Sequence, residues 1–172
     1  MTSNKLALSF LLLCVTTLIG CDWFKGASKS EHASLVLVNV LDEELFKDCH
    51  IKTDGHAVLS INVPLDQLEE YAQQKLDKKT KIIVHCANFK CLASAEGAKM
   101  LKDIGFENAM AFEGGVAEWK SLGYPVEGAC TQLYLEDLEK PEGIKAPEGV
   151  RVITAQELKE MIEAECRTCQ CC

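Results

Sequence analysis

Residues 81–94 read Lys-Ile-Ile-Val-His-Cys-Ala-Asn-Phe-Lys-Cys-Leu-Ala-Ser, and this stretch decides the fold. Ile82, Ile83 and Val84 form a short apolar run of the kind that becomes a strand buried on both faces. Cys86 stands just past the end of that run, and a helix follows that carries Ala95, Ala98, Met100 and Leu101 up to a stop at Gly105. A sulfur at a strand-to-helix junction meets backbone N–H groups and the positive end of the helix dipole. Both favour the thiolate, and in such settings a thiol pKa falls from ~8.5 into the range ~3.5–7.5. The same cradle suits an anion's oxygens, with Lys90 and His85 as candidate cations. The alternative is a buried Cys acting as a small hydrophobe.

Working outward, Leu35–Val38 with Val40 is a second continuous apolar run, and His56–Val63 a further strand ending at Pro64. Asp42–Phe46 suits a helical turn. Leu65, Leu68, Ala72 and Leu76 recur at helical spacing, so Pro64–Leu76 is expected as an amphipathic helix. Ala109–Phe112 is another strand, Gly114-Gly115 a turn, and Val116–Leu122 a helix closed by Gly123 and Pro125. Strands alternating with helices predict an α/β fold, a central parallel sheet with helices on both faces. In such sheets the working crevice lies beyond the carboxyl ends of the strands, where Cys86 falls.

The whole chain has 172 residues, 18 Lys+Arg against 26 Asp+Glu and a net charge of -8. That length suits one domain with some chain left over. The negative charge argues against nucleic acid as a partner, because no cationic surface is available to release counterions. Ten Cys residues are many for a cytosolic enzyme and few for a disulfide mini-protein.

Residues about 33–128 resemble a rhodanese domain. The matching pieces are Val38-Asn39-Val40, Cys49-His50-Ile51, Ser60–Leu65, Ile82–Cys86, Ala93-Ser94 through Leu101, Gly105-Phe106, Phe112–Gly115 to Trp119, and Gly123–Val126. The resemblance implies that Cys86 is the catalytic nucleophile, taking sulfur from a small sulfur-containing anion such as thiosulfate and passing it from a persulfide to a thiol acceptor. It implies a substrate-binding loop of Ala87, Asn88, Phe89, Lys90, Cys91 and Leu92. No cofactor is required by that chemistry. Two further readings remain: a thiol redox or thiophilic-metal-handling protein using Cys86, Cys91 and the Cys-rich tail, and a non-catalytic rhodanese binding module.

The chain departs from the family pattern in three places. Asn39 and Leu41 stand where members commonly have Asp and Arg, and Lys52–Val58 is an insertion. The loop is two residues longer than the usual sulfurtransferase loop and resembles a subgroup with Cys-x4-Cys. Cys91 is then a candidate resolving thiol, closing a disulfide on Cys86, or else a packing residue at the helix start. No Arg closes the loop between Cys86 and Lys99, which argues against phosphate chemistry.

The ends carry their own signals. Lys5 precedes an apolar run from Leu6 to Ile19 with the build of a signal peptide. Leu18-Ile19-Gly20-Cys21 resembles the lipobox of bacterial lipoproteins, which implies lipidation of Cys21 and attachment to a bacterial cell membrane, facing the periplasm or cell exterior. Asp22 resembles an inner-membrane retention signal. Removal of residues 1–20 takes Lys5 with it, leaving a charge of -9. Residues 21–32 then form a tether, 33–130 the rhodanese domain and 131–149 a linker with Pro141, Gly143, Pro147 and Gly149. Residues 150–172 form a short strand and helix, opened by the capping box Thr154-x-x-Glu157 and resembling the start of a second repeat. Cys166, Cys169, Cys171 and Cys172 crowd the tail. They are candidates for a soft metal ion, for relaying sulfur from Cys86, or for protective disulfides. Cys49 and Cys130 are expected to be structural.

Overall fold

The protein is described by a computed structural model covering residues 33–53, 55 and 57–168. Strands β1 (Leu35–Asn39), β3 (Val58–Asn62), β4 (Lys81–His85) and β5 (Ala109–Phe112) form a parallel sheet, joined at one edge by β7 (Arg151–Val152). The order across the sheet is β3-β1-β4-β5-β7. In register, Asn62, Asn39, His85 and Phe112 form one row across the carboxyl edge. A separate two-residue antiparallel pair joins β2 (His50–Ile51) to β6 (Val126–Glu127).

Alternation along each strand sorts the core into two layers, because successive side chains point to opposite faces. Val36, Val38, Ile82, Val84, Ala109 and Ala111 face α2 (Leu68–Lys75) and α3 (Ala93–Asp103), through Leu68, Ala72, Ala95, Ala98 and Leu101. Leu35, Leu37, Ile83, Met110 and Phe112 face Trp119 of α4 (Gly115–Ser121) and Leu158 of α5 (Ala155–Thr168). Both faces are covered, so the strands are apolar throughout rather than alternating. This is the mixed α/β architecture with a central parallel sheet that the sequence predicts. Gly97 lets α3 lie close on the sheet: a Cβ there would meet Leu68 Cδ2 and Val84 Cγ1 at 3.0 Å.

The C-terminal strand and helix complete this core. The Ile153 N–H donates to Ala111 O at 2.9 Å, and Ile153, Ala155 and Leu158 are buried. The capping box forms as expected. Thr154 N–H donates to Glu157 Oε2 at 2.8 Å, and Glu157 N–H donates to Thr154 Oγ1 at 3.1 Å. From there α5 runs back to the amino edge of the sheet. There Glu165 accepts hydrogen bonds from Ser34 Oγ and Lys81 Nζ, both at 2.7 Å. Among the described residues no helix is long and apolar enough to cross a membrane.

Candidate active site

The carboxyl edge of β4 delivers Cys86 with no exposed surface, on the face shared with Val84. Residues 86–92 then turn into α3, whose first helical residue is Ala93. Cys86 is joined to Cys91 as a disulfide, with Cα atoms 6.4 Å apart, and Cys91 is half-buried. Asn88 shapes the loop from inside: its carbonyl accepts from Cys91 N–H at 3.1 Å and its Oδ1 from Lys90 N–H at 3.1 Å. Two loop amides are thereby committed within the loop itself. The Cys91 carbonyl oxygen lies 3.2 Å from Cys86 Sγ, where it would accept the thiol proton once the pair is reduced.

The far wall of the loop is α4. Val116 N–H donates to Cys86 O at 3.1 Å and Ala117 N–H to Ala87 O at 3.0 Å. The close approach requires Gly115. Its φ is +58°, and a Cβ there would run into the carbonyls of Cys86 and Ala87. Only glycine meets both demands without strain. Thus the Gly114-Gly115 pair seen in the sequence serves the loop directly.

Residues 131–140, expected as the beginning of a linker, lie against the site. Asn88 Nδ2 donates to Tyr134 O at 3.2 Å, and Leu135 is buried beside Cys49 and Val116. Lys90 Nζ pairs with Asp137 Oδ2 at 2.9 Å and Glu139 Oε2 at 2.7 Å. These contacts raise the Lys90 pKa, through the hydrogen bond to Glu139 first and that to Asp137 second. The Lys90 hydrogen bond lowers that of Asp137. Lys140 sits 5.4 Å from the Phe89 ring centroid and 4.0 Å from Glu113. Burial pushes Glu118 up, with Lys140 opposing. Desolvation also pushes Tyr134 up to about 12, and its buried hydroxyl finds no partner among the described residues.

The root of this strap is a second disulfide, Cys49–Cys130, with Cα atoms 4.6 Å apart. Asp48 reinforces it. Its backbone carbonyl accepts from Cys130 N–H at 2.8 Å, and its carboxylate accepts from Thr131 Oγ1 at 2.7 Å and Thr131 N–H at 3.0 Å. The Thr131 hydroxyl bond in particular holds the Asp48 carboxyl below the ordinary carboxylate range.

His85 is not the cation expected beside the loop. It is fully buried, and burial drives its pKa down to about 4, so the ring is neutral at pH 7. The backbone of Cys86 opposes that shift without cancelling it. Its neighbour in the row, Asn39, is also buried. Asn39 Oδ1 accepts from Leu41 N–H at 2.9 Å, a short turn-forming bond at the position where an acid is common.

The structure therefore gathers Cys86, Ala87, Asn88, Phe89, Lys90, Cys91 and Leu92 at one edge. Cys166 belongs to the opposite edge, next to Glu165, which binds Ser34 and Lys81 at the starts of β1 and β4. Five residues of strand separate the two edges, roughly 16 Å. This placement does not favour relay of sulfur from Cys86 to Cys166 within one chain. Cys169, Cys171 and Cys172 of the tail, and Cys21 and Asp22 at the other end, lie outside the described residues. Among the described residues no cluster of three or more His, Cys, Asp or Glu could hold a metal ion. Sequence reasoning missed Asp137, Glu139, Glu113 and Tyr134. A charge run at 136–139 was the sole local hint, and it read equally well as solvated linker.

A parallel sheet with a Cys-bearing loop at the carboxyl end of its central strand defines a class of α/β protein. The family model of the rhodanese-like domain matches residues 21–122, more than half of the chain, and the chain belongs to that family. Among solved structures, the BH2092 protein from Bacillus halodurans is 26% identical, with a TM-score of 0.51, covering 66% of this chain and 77% of that one. The rhodanese_3-like domain of the Alr3790 protein from Anabaena sp. is 28% identical, with a TM-score of 0.47, covering 54% of this chain and 98% of that one. The comparison with curated proteins gives no match.

Proposed function

We propose that the protein is a sulfurtransferase that carries sulfane sulfur as a persulfide on Cys86, with Cys91 as a resolving thiol. The observation that carries this reading is the position of Cys86, at the carboxyl end of β4 in a rhodanese-like domain, with Cys91 within bonding reach. The reduced Cys86 thiolate attacks the outer sulfur of thiosulfate or of a persulfide. Sulfite or the donor's thiolate leaves, and Cys86 holds the extra sulfur. An external thiolate then takes that sulfur and restores Cys86. Alternatively, Cys91 attacks the inner sulfur of the persulfide, expels hydrosulfide and leaves the Cys86–Cys91 disulfide, which two electrons from external thiols must reopen. On this reading the bonded, fully buried Cys86 is the closed, resting form.

The Leu18–Cys21 segment supports anchoring by lipid on Cys21 outside the cytoplasmic membrane, where such disulfides persist. Residue 33, the first described residue, precedes β1 at the amino edge of the sheet, and the Cys86 loop lies at the other edge. The Cys-rich tail is proposed as a separate soft-metal or thiol-handling segment.

The Cys86–Cys91 bond also favours a second reading, a dithiol–disulfide module that exchanges electrons with partner thiols without carrying sulfur. One experiment separates the two. The reduced protein is mixed with thiosulfate or an alkyl persulfide, and the intact mass is followed. Sulfur transfer predicts one added sulfur atom on Cys86, absent in Cys86→Ser and longer-lived in Cys91→Ser. A module limited to electron exchange gives no added sulfur in any form and loses activity in both variants.

A further inference from the structure

Lys90 is the one charged residue between Cys86 and Leu92, so any attraction of an anionic donor by the loop's own side chains falls to it. Its ammonium is shared between Asp137 Oδ2 at 2.9 Å and Glu139 Oε2 at 2.7 Å. Lys140, near Phe89, faces Glu113 at 4.0 Å and interacts with Glu118. Among the described residues around the loop, these two ammonium groups are met by four carboxylates. An approaching anion therefore meets compensated cations and a surplus of negative charge. The groups are partly exposed, with Lys90 at 42% and Asp137 at 37%, so their field reaches the solvent and is screened by salt.

We propose that Asp137 and Glu139 set the donor preference of the Cys86 loop: by occupying Lys90 they turn away small anionic donors and favour persulfides of cationic or neutral thiols. This rests on the sulfurtransferase reading above and names its substrate class. The bond changes are the same for every donor. The Cys86 thiolate bonds to the terminal sulfur, the sulfur–sulfur bond of the donor breaks, and its electron pair leaves with the donor's own thiolate, or with sulfite when the donor is thiosulfate. A cationic and an anionic donor also differ in how readily their thiolates leave, so the electrostatic part is the part of their rate ratio that moves with salt and with the Asp137 and Glu139 carboxylates.

The test uses the full chain carrying Cys91→Ser, reduced and freed of reductant, so that no internal thiol removes the added sulfur. Initial rates of sulfur addition to Cys86 are measured by acid-quenched mass spectrometry with cysteamine persulfide, 3-mercaptopropionate persulfide and thiosulfate. The expected result is about tenfold faster transfer from the cationic persulfide than from the anionic one at low salt, shrinking toward parity as ionic strength rises. Asp137→Asn with Glu139→Gln brings the two rates together and raises the thiosulfate rate severalfold. An anionic preference in the unsubstituted strap, or a ratio unmoved by both salt and the double substitution, overturns the proposal while leaving sulfur transfer standing. Absence of sulfur addition from all three donors removes the sulfurtransferase reading, and the donor preference with it.

Discussion

The two disulfides among the described residues enclose very different lengths of backbone. Cys49–Cys130 joins residues 81 apart in sequence and ties the residue just before β2 to the strap beyond β6, whereas Cys86–Cys91 joins residues five apart inside one loop. In the chain-entropy picture a bridge stabilises by restricting the unfolded chain, and the restriction grows with the length enclosed. The expected contributions are about 4.5 kcal/mol for the long bridge and about 2 kcal/mol for the short one. Backbone and carboxylate bonds from Asp48 secure the first, while the second lies between β4 and α3. A bridge that holds little of the fold together can open during turnover without unfolding the domain. On the proposed function, the same bond serves architecture in one place and chemistry in the other.

The largest expected effect tests that division. Replacing Cys49 and Cys130 together by Ala lowers the unfolding free energy by about 4.5 kcal/mol, against about 2 kcal/mol for the Cys86→Ala/Cys91→Ala pair. Denaturant unfolding of the oxidised proteins measures both, and equal losses would erase the distinction. Next comes His85, at the end of the strand that leads into the short bridge. Its folded pKa of about 4 lies below the unfolded value of 6.5, so the unfolded chain binds more protons between those limits. Stability is therefore full above about pH 6.5 and falls by roughly 3 kcal/mol as the pH drops to about 4. His85→Leu flattens that slope in pH-resolved denaturation, and an unchanged slope would show that other groups cause it. The smallest effect concerns the loop wall. Gly115→Ala puts a Cβ at φ +58° against the Cys86 and Ala87 carbonyls, at a cost of about 2 kcal/mol or more. Faster reduction of Cys86–Cys91 by a small thiol should accompany it, and an unaltered rate would detach α4 from control of the loop.

The sheet was legible because its signals are local. Leu35–Val38, Ile82–Val84 and Ala109–Phe112 are apolar without a break, which is what burial on two faces demands. Thr154 and Glu157 announced their helix three residues apart. Cys86 could be placed by counting past the end of a strand. The remainder of the site depends on contacts between distant residues. Nothing near Asn88 indicates Tyr134, 46 residues on, and nothing near Lys90 indicates Asp137. Pro141 and Gly143 made that stretch look like spacer, although Leu135 is buried. Sequence spacing could not pair Cys49 with Cys130, since connectivity does not follow from position along the chain. His85 misled for a related reason. Imidazole beside a candidate thiolate suggests a cation, and only its burial shows that it is kept neutral.

Ser34 and Glu165 meet at the start of the sheet, so both ends of the described chain leave from one side of the molecule. The protein can therefore be immobilised on a bead or an electrode through either end with its reactive loop pointing outward. Surface-bound assays of partner capture and electron exchange then become practical without redesigning the chain.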